Sequence, residues 1–281
     1  MSSALVLAGG GVAGIAWELG VLRGIADADR ALAERVIAAD LVVGTSAGSA
    51  VAAQITSGVP LDELYAAQLR PETAEIEVDV DTEKLFAEYG AVLGGVSDPQ
   101  EARRRLGALA LAAKTVEPAV RLGAIDARLP VKEWPGRDVR LPAVDAETGE
   151  VAIFTRRSGV SLRDAVAASC AVPGIWPPVA IGDRRYVDGG VRSMTNADLA
   201  AGAERVLVIQ PVLEGTPQPW GSLDDEIAAL APARVHVVSA DQASVDAFGA
   251  NALSPATRAP SAEAGRAVGR VHADAVAALW G

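Results

Sequence analysis

The sequence predicts an α/β fold: a mostly parallel central sheet sandwiched by helices, with a helical insertion. Three observations predict it. Short apolar runs that end in glycine, Ala4 to Ala8 and Leu41 to Val43, read as strands buried on both faces. Each is followed by a stretch of helical character, and the resulting β-α-β-α unit implies parallel strands joined by a right-handed crossover. Half of the residues are apolar and only 4% are aromatic, so the core must be built from Ala, Val, Leu and Ile, which suits helices packed tightly over a sheet. Residues 1–281 are expected to form one domain.

Taken in order, the first strand leads into a helix in which Ile15, Leu19, Leu22 and Ala26 follow the spacing of one buried face, with Glu18, Arg23 and Asp27 turned elsewhere. After the second strand, Ala47 to Ile55 is so uniformly small and apolar that its helix must be covered all round. About residues 61–127 the chain reads as helical and more polar, broken at Gly94-Gly95, Pro99 and Pro118, and forms a candidate insertion or lid. Val139 to Val144 and Val151 to Thr155 flank a turn-rich stretch and suggest a hairpin, and a second hairpin is centred on Ile181-Gly182-Asp183-Arg184. Arg205 to Ile209 and Arg234 to Val238 are further strands that alternate with helices. Glu214 to Leu223 and Ser254 to Ser261, rich in Pro and polar residues, read as surface loops.

A formal charge of −11 and a pI near 4.7 argue against a nucleic-acid partner, because affinity for phosphate backbones comes from clustered Lys and Arg. The densest basic run, Arg103-Arg104-Arg105, reads as a solvated helix face. The same acidity limits contact with anionic membranes to transient encounters. The single cysteine, Cys170, permits no internal disulfide, and no Cys/His spacing resembles a metal site, so neither metal nor cofactor is expected and a reducing cytoplasm is the expected compartment. The apolar N-terminal stretch is interrupted by glycines and Glu18 and lacks a basic leader, which reads as strand plus helix rather than signal peptide or membrane span.

Gly44-Thr45-Ser46-Ala47-Gly48 fits the G-x-S-x-G nucleophile elbow, in which a serine sits on a sharp strand-to-helix turn with its hydroxyl exposed. Gly44 and Gly48 are needed there because side chains would collide with neighbouring backbone. The helix that follows would place its N-terminus beside negative charge at Ser46. Gly9-Gly10-Gly11-Val12-Ala13-Gly14 also joins a strand to a helix and presents bare N–H groups. Read as G-x-G-x-x-G, closed by Gly14, it could cradle a dinucleotide pyrophosphate; beside a serine elbow, Gly9, Gly10 and Gly11 could instead form an oxyanion hole. The second strand ends in the elbow rather than in the acidic residue a dinucleotide site needs, which favours the oxyanion reading. Asp188-Gly189-Gly190 follows a strand, and Gly189 and Gly190 would let the carboxylate turn inward. A serine nucleophile needs a base. The chain has two histidines, His236 in a strand pattern and His272 in a C-terminal helix; if neither serves, a carboxylate must contact Ser46 directly and be desolvated enough to act as a base near working pH.

Glycine-rich loop, G-x-S-x-G and D-G-G, in that order, resemble the patatin-like phospholipases. The stretch Ala168 to Val179 (ASCAVPGIWPPV) is similar to the segment those proteins carry ahead of D-G-G, and Asn196 matches the asparagine after it. The resemblance runs from about Leu5 to Asn196. It implies a Ser46–Asp188 dyad with Ser46 as nucleophile and Asp188 as proton acceptor, oxyanion N–H groups from the glycine loop, above all Gly10 and Gly11, and a lipid or small acyl ester as substrate, cleaved without a metal cofactor. Many members place Arg or Lys where this chain has Ala13, so the expectation is a lipid acyl ester rather than a phospholipid specifically. Trp176, Pro177 and Pro178 are expected to line the acyl groove. Two other readings stay open: a triad of Ser46, Asp188 and His236, and a nucleotide-binding module built on the glycine loop.

Overall fold

A computed structural model describes residues 2–216 and 222–281, apart from the side chains at 82 and 83. Its strands are β1 (Ser3–Leu7), β2 (Leu41–Gly44), β3 (Asp138–Asp145), β4 (Val151–Phe154), β5 (Val179–Ile181), β6 (Arg184–Asp188), β7 (Arg205–Leu213) and β8 (Arg234–Ala240). They form one sheet in the order β5-β6-β3-β2-β1-β7-β8, with β4 paired to β3. The run from β3 to β8 is parallel, whereas β4, β5 and β6 run antiparallel to their neighbours. Both expected hairpins form, as β3–β4 and β5–β6.

The helices are α1 (Gly11–Ala28), α2 (Arg30–Ile37), α3 (Ala47–Ile55), α4 (Leu61–Leu69), α5 (Thr82–Leu93), α6 (Pro99–Ala112), α7 (Pro118–Arg128), α8 (Leu162–Ser169), α9 (Leu223–Ala229), α10 (Gln242–Phe248) and α11 (Arg258–Trp280). Strand alternation sends Leu5, Leu7, Val42, Leu207 and Ile209 into a core shared with α1, α3, α8 and α11. Ala4, Val6, Leu41, Val43, Val206 and Val208 face the other way, against Ala197, Ala200 and Leu230. The sheet is therefore covered on both faces, as continuous apolar strands require. All nine residues of α3 are buried.

In α1 the expected polar face is absent at one position. Glu18 is fully buried, its carboxyl turned toward the Ala8 backbone just after β1, while α11 packs along a different side of α1. The two helices touch through glycine: a Cβ on Gly265 would lie 2.1 Å from the Trp17 carbonyl oxygen, one on Gly269 2.1 Å from that of Val21, and one on Gly20 2.3 Å from that of Ala262. At the ends of this contact Asp27 accepts ion pairs from Arg266 and Arg270.

Between α3 and β3 the chain forms α4 to α7, with Gly94 ending α5 and Pro99 and Pro118 opening α6 and α7. Residues 70–81, read as helical from sequence, form an irregular strap instead. Arg104 and Arg105 of the basic run are both paired with Glu101. Ser254 to Ser261 is not a surface loop: Ser254 caps a short 3-10 turn that runs into α11, and Thr257, Arg258 and Ser261 are buried. Proline is tolerated in that first turn because no intrahelical N–H bond is lost. In the expected loop from Glu214 to Leu223, positions 217–221 lie outside the described residues. No described helix is long and apolar enough to cross a membrane.

Candidate active site

Strand β3 brings the two chemical motifs together. β2 pairs with its residues 138–140, and β6 pairs Asp188 with Ala143 a little further along. The end of β2, where the elbow turns, and the end of β6, where the carboxylate sits, therefore meet at one stretch of β3.

Ser46 has φ 50° and ψ −113°, a conformation that L residues adopt only under constraint. The constraint is visible. Thr45 N–H donates to the Leu7 carbonyl at 3.0 Å and Gly48 N–H to that of Ala8 at 3.0 Å, tying the elbow to the end of β1. Ser46 N–H donates to Ser169 Oγ at 3.1 Å. The Ser46 carbonyl accepts from Ser49 Oγ at 2.6 Å and from the Cys170 thiol at 3.1 Å. Both flanking glycines are required by close approach: a Cβ on Gly44 would sit 2.4 Å from the Gly48 carbonyl oxygen, and one on Gly48 2.1 Å from that of Leu7.

Asp188 is fixed by its own backbone, whose N–H donates to the Ala171 carbonyl at 2.9 Å. Its Oδ1 accepts from Gly190 N–H at 2.7 Å. Oδ2 is buried and accepts no formed hydrogen bond. Burial pushes this carboxyl up to about 7, opposed by the Gly190 N–H, the Ser46 hydroxyl and the Arg121 cation in that order. The Ser46 hydroxyl thus acts on Asp188 as a nearby donor, although the pair lacks the geometry of a completed bond, a common looseness in catalytic pairs without substrate. Gly189 is packed against Pro142, with 2.4 Å between its would-be Cβ and that carbonyl oxygen.

The glycine loop arches over Ser46: a Cβ on Gly9 would come 3.5 Å from Ser46 Cβ. Of the three expected oxyanion donors, Gly9 is already committed, its N–H donating to the Met194 carbonyl at 2.8 Å. Gly10 and Gly11 give no N–H hydrogen bond to any described residue, and both line the cavity that holds Ser46 and Asp188. Gly11 has φ +65°, which glycine adopts without strain. Gly14 packs on Ala47 of α3 and on Pro211, so it sets the spacing of loop and elbow.

This cavity, about 310 Å³, is lined mainly by apolar side chains, among them Leu85, Phe86 and Tyr89 of α5, Ile175, Met194 and Leu253, with no Lys or Arg among the described residues that line it. Trp176, Pro177 and Pro178 do not line it; Val172, Pro173 and Ile175 do, while Trp176 turns into the interior and stacks on Arg121. His236 is likewise elsewhere. It lies on β8, separated from β2 by β1 and β7, roughly 14 Å at ordinary strand spacing, and its Nε2 is 3.1 Å from Nδ1 of His272.

Three residues carry weight that local sequence does not reveal. Ser169 and Cys170 clamp the elbow from more than a hundred residues away. Asn196, also at φ 50°, donates from Nδ2 to Thr45 Oγ1 at 3.0 Å, to the Gly189 carbonyl at 3.3 Å and to that of Ser193 at 2.6 Å. It joins elbow and D-G-G turn directly; its place after D-G-G was the one signal that pointed to it.

A sheet edge presenting a constrained serine, a buried carboxylate and free loop amides defines a hydrolase-like site of the α/β class. A sequence profile of the patatin-like phospholipases matches residues 5–201, most of the chain, and the chain belongs to that family, whose general chemistry is lipid acyl hydrolysis. Among curated proteins none matches it significantly. Similar solved structures include VipD from Legionella pneumophila (11% identity over 88% of this chain and 53% of that one, TM-score 0.39) and the type III effector ExoU (14% identity over 98% and 53%, TM-score 0.44). This chain spans about half the length of either.

Proposed function

We propose that this protein hydrolyses carboxylic esters of lipids through a Ser46–Asp188 dyad. One observation carries the reading: the strained serine, a buried carboxylate oxygen with no formed hydrogen bond and two unused loop amides share one apolar cavity. Asp188 Oδ2 accepts the hydroxyl proton as Ser46 Oγ attacks the acyl carbon. The oxyanion is held by the N–H groups of Gly10 and Gly11, the α3 N-terminus favouring the same charge. As the intermediate collapses, Asp188 returns the proton to the departing alcohol and leaves an acyl-serine. Water then gives its proton to Asp188, attacks the ester, and the fatty acid is released with Ser46 restored. A base that ionises near neutral pH is well matched to this cycle.

The absence of Lys or Arg among the described lining residues, together with Ala13 in the loop, favours esters whose recognised part is the acyl chain over those held by a phosphate group. The chain is read as one domain working in the cytoplasm. Because Leu85, Phe86 and Tyr89 form one wall of the cavity, α5 is the part of the 61–127 segment proposed as a lid, meeting membranes at most transiently. The test is hydrolysis of a short soluble ester and of a long-chain glyceride by wild type, Ser46→Ala, Asp188→Asn and a variant with both histidines changed to glutamine. The reading requires loss in the first two variants and retention in the last; loss in the histidine variant would favour the triad.

A further inference from the structure

The most anomalous charged group outside the dyad is Arg121, on α7. It is 4% exposed, its Nη1 has no hydrogen-bond partner, and no carboxylate lies within ion-pairing distance among the described residues. Its guanidinium is instead stacked on the Trp176 ring, 3.8 Å from the centroid. Two helical turns on, Arg128 is fully provided for, with Nε and Nη2 on the two carboxylate oxygens of Glu75 at 2.7 and 2.6 Å. Both oxygens of Glu75 are thereby bonded to Arg128, and Glu75 reaches Arg121 only through space. A buried guanidinium left unpaired costs several kcal/mol, and an apolar side chain of the same length would avoid that cost. The position makes physical sense only if another negative charge faces it.

One such charge is present. The groups that act on Arg121 through space are Arg128, which repels it, and Cys170, Glu75 and Asp188, which attract it. Burial pushes the Cys170 thiol up, so that group is neutral near pH 7. Tyr89 of α5, which donates to the Pro173 carbonyl at 2.7 Å, also faces Asp188 and stays neutral because burial, and then Asp188 itself, push it well above its usual range. At working pH the charges of this cluster are thus three cations, Arg121, Arg128 and Arg258, all of which act on Glu75, and two carboxylates, Glu75 and Asp188. The architecture links Arg121 and Asp188 physically. A single loop, residues 170–178, holds Asp188 through the Ala171 carbonyl and holds Arg121 through the Trp176 ring.

Resting on the dyad reading, we propose that Arg121 is a positioning residue for the reaction, a counter-charge stacked on Trp176 that keeps Asp188 ionised and ready to accept the Ser46 proton. It touches neither substrate nor the reacting atoms. Its effect on rate has a recognisable form. Without the cation, the carboxylate ionises at higher pH, so activity falls on the acid side and returns on the alkaline side, where Asp188 is if anything the stronger base.

The experiment is an NMR titration of Asp side-chain carboxyls, with the Asp188 signal assigned by its loss in Asp188→Asn, run beside the pH profile of kcat/KM for a soluble ester. In Arg121→Met the Asp188 midpoint and the acid limb should rise together, by about 0.3–0.5 pH unit, which is about a two- to threefold loss of activity below the wild-type midpoint. The alkaline plateau should stay within about threefold of wild type, and Arg121→Lys should recover most of the shift. Arg121→Gln carries the same test if the Met variant does not fold. In the wild type, the Arg121 guanidinium resonances should titrate with Asp188 and cease to do so in Asp188→Asn. Unmoved Asp188 midpoints in folded Arg121 variants, or guanidinium signals that ignore Asp188, overturn the proposal. If no ester is cleaved yet the two groups titrate together, the dyad reading fails and the pairing stands. If hydrolysis needs Ser46 and Asp188 but Arg121 moves neither midpoint nor limb, the reverse holds.

Discussion

Asp188→Asn should move stability and activity in opposite directions, and the size of the first effect follows from the burial of the carboxyl. Folding raises this group from 3.8 to about 7. A carboxyl raised on folding stabilises the native state fully below its unfolded pKa, and that contribution drains away as pH climbs to the folded value. Between pH 5 and pH 7 each pH unit costs the folded protein about 1.4 kcal/mol, about 3 kcal/mol in all, with little change above pH 7. Asparagine has no such dependence, and every other titrating group cancels in the comparison of wild type with variant. The stability advantage of Asp188→Asn should therefore be about 3 kcal/mol larger at pH 8 than at pH 5, which is several degrees of Tm at roughly 2–4 °C per kcal/mol. Urea unfolding of both proteins from pH 5 to pH 8 measures it, alongside ester hydrolysis, which the variant should lack at every pH. An advantage that stays constant across this range would mean that Asp188 ionises like an exposed carboxylate, and the argument for it as a base would fall.

Three further outcomes follow from particular contacts. Gly10→Ala places a Cβ 2.3 Å from Pro211 Cγ and must displace the loop amides, so kcat should drop about 10²–10³-fold, the cost of losing an oxyanion donor, with KM little changed in steady-state kinetics. Burial raises the Glu18 carboxyl well above its usual range, against a smaller opposing effect of the Ala8 N–H, and neither oxygen has a formed hydrogen bond; Glu18→Met should therefore raise stability by about 1–3 kcal/mol at pH 8 by calorimetry, and by less toward pH 5, where the wild-type cost of keeping this acid neutral shrinks. Gly265→Ala forces α1 and α11 apart and should cost about 1–3 kcal/mol in urea midpoints, whereas Gly123→Ala, in α7 with nothing within 4 Å of its would-be Cβ, should be neutral or stabilise by up to about 1 kcal/mol.

What could be read from sequence was whatever local backbone geometry forces. Gly44, Gly48 and Gly189 are bare because a neighbouring carbonyl occupies the space of a side chain, and such a need leaves a mark in a few consecutive residues. Uniformly apolar runs likewise had no reading other than burial. Features set by distant segments left no such mark. Glu18 sits where helical periodicity points to solvent, yet the packing of α1 on the sheet turns it toward Ala8 and buries it. Trp176 was expected at the groove because it is large and apolar, yet a buried cation on α7 claims its face. Gly9 looked like Gly10 and Gly11 until Met194 took its N–H. Ser254 to Ser261 has the composition of a loop, and that composition serves a helix start equally well.

The account stands or falls on Ser46 as the nucleophile, and covalent trapping tests that most directly. Wild-type protein treated with a fluorophosphonate should gain one adduct, located by peptide mass spectrometry on residue 46, and Ser46→Ala should gain none. An adduct on another residue, or none on folded wild type that hydrolyses esters, would contradict it.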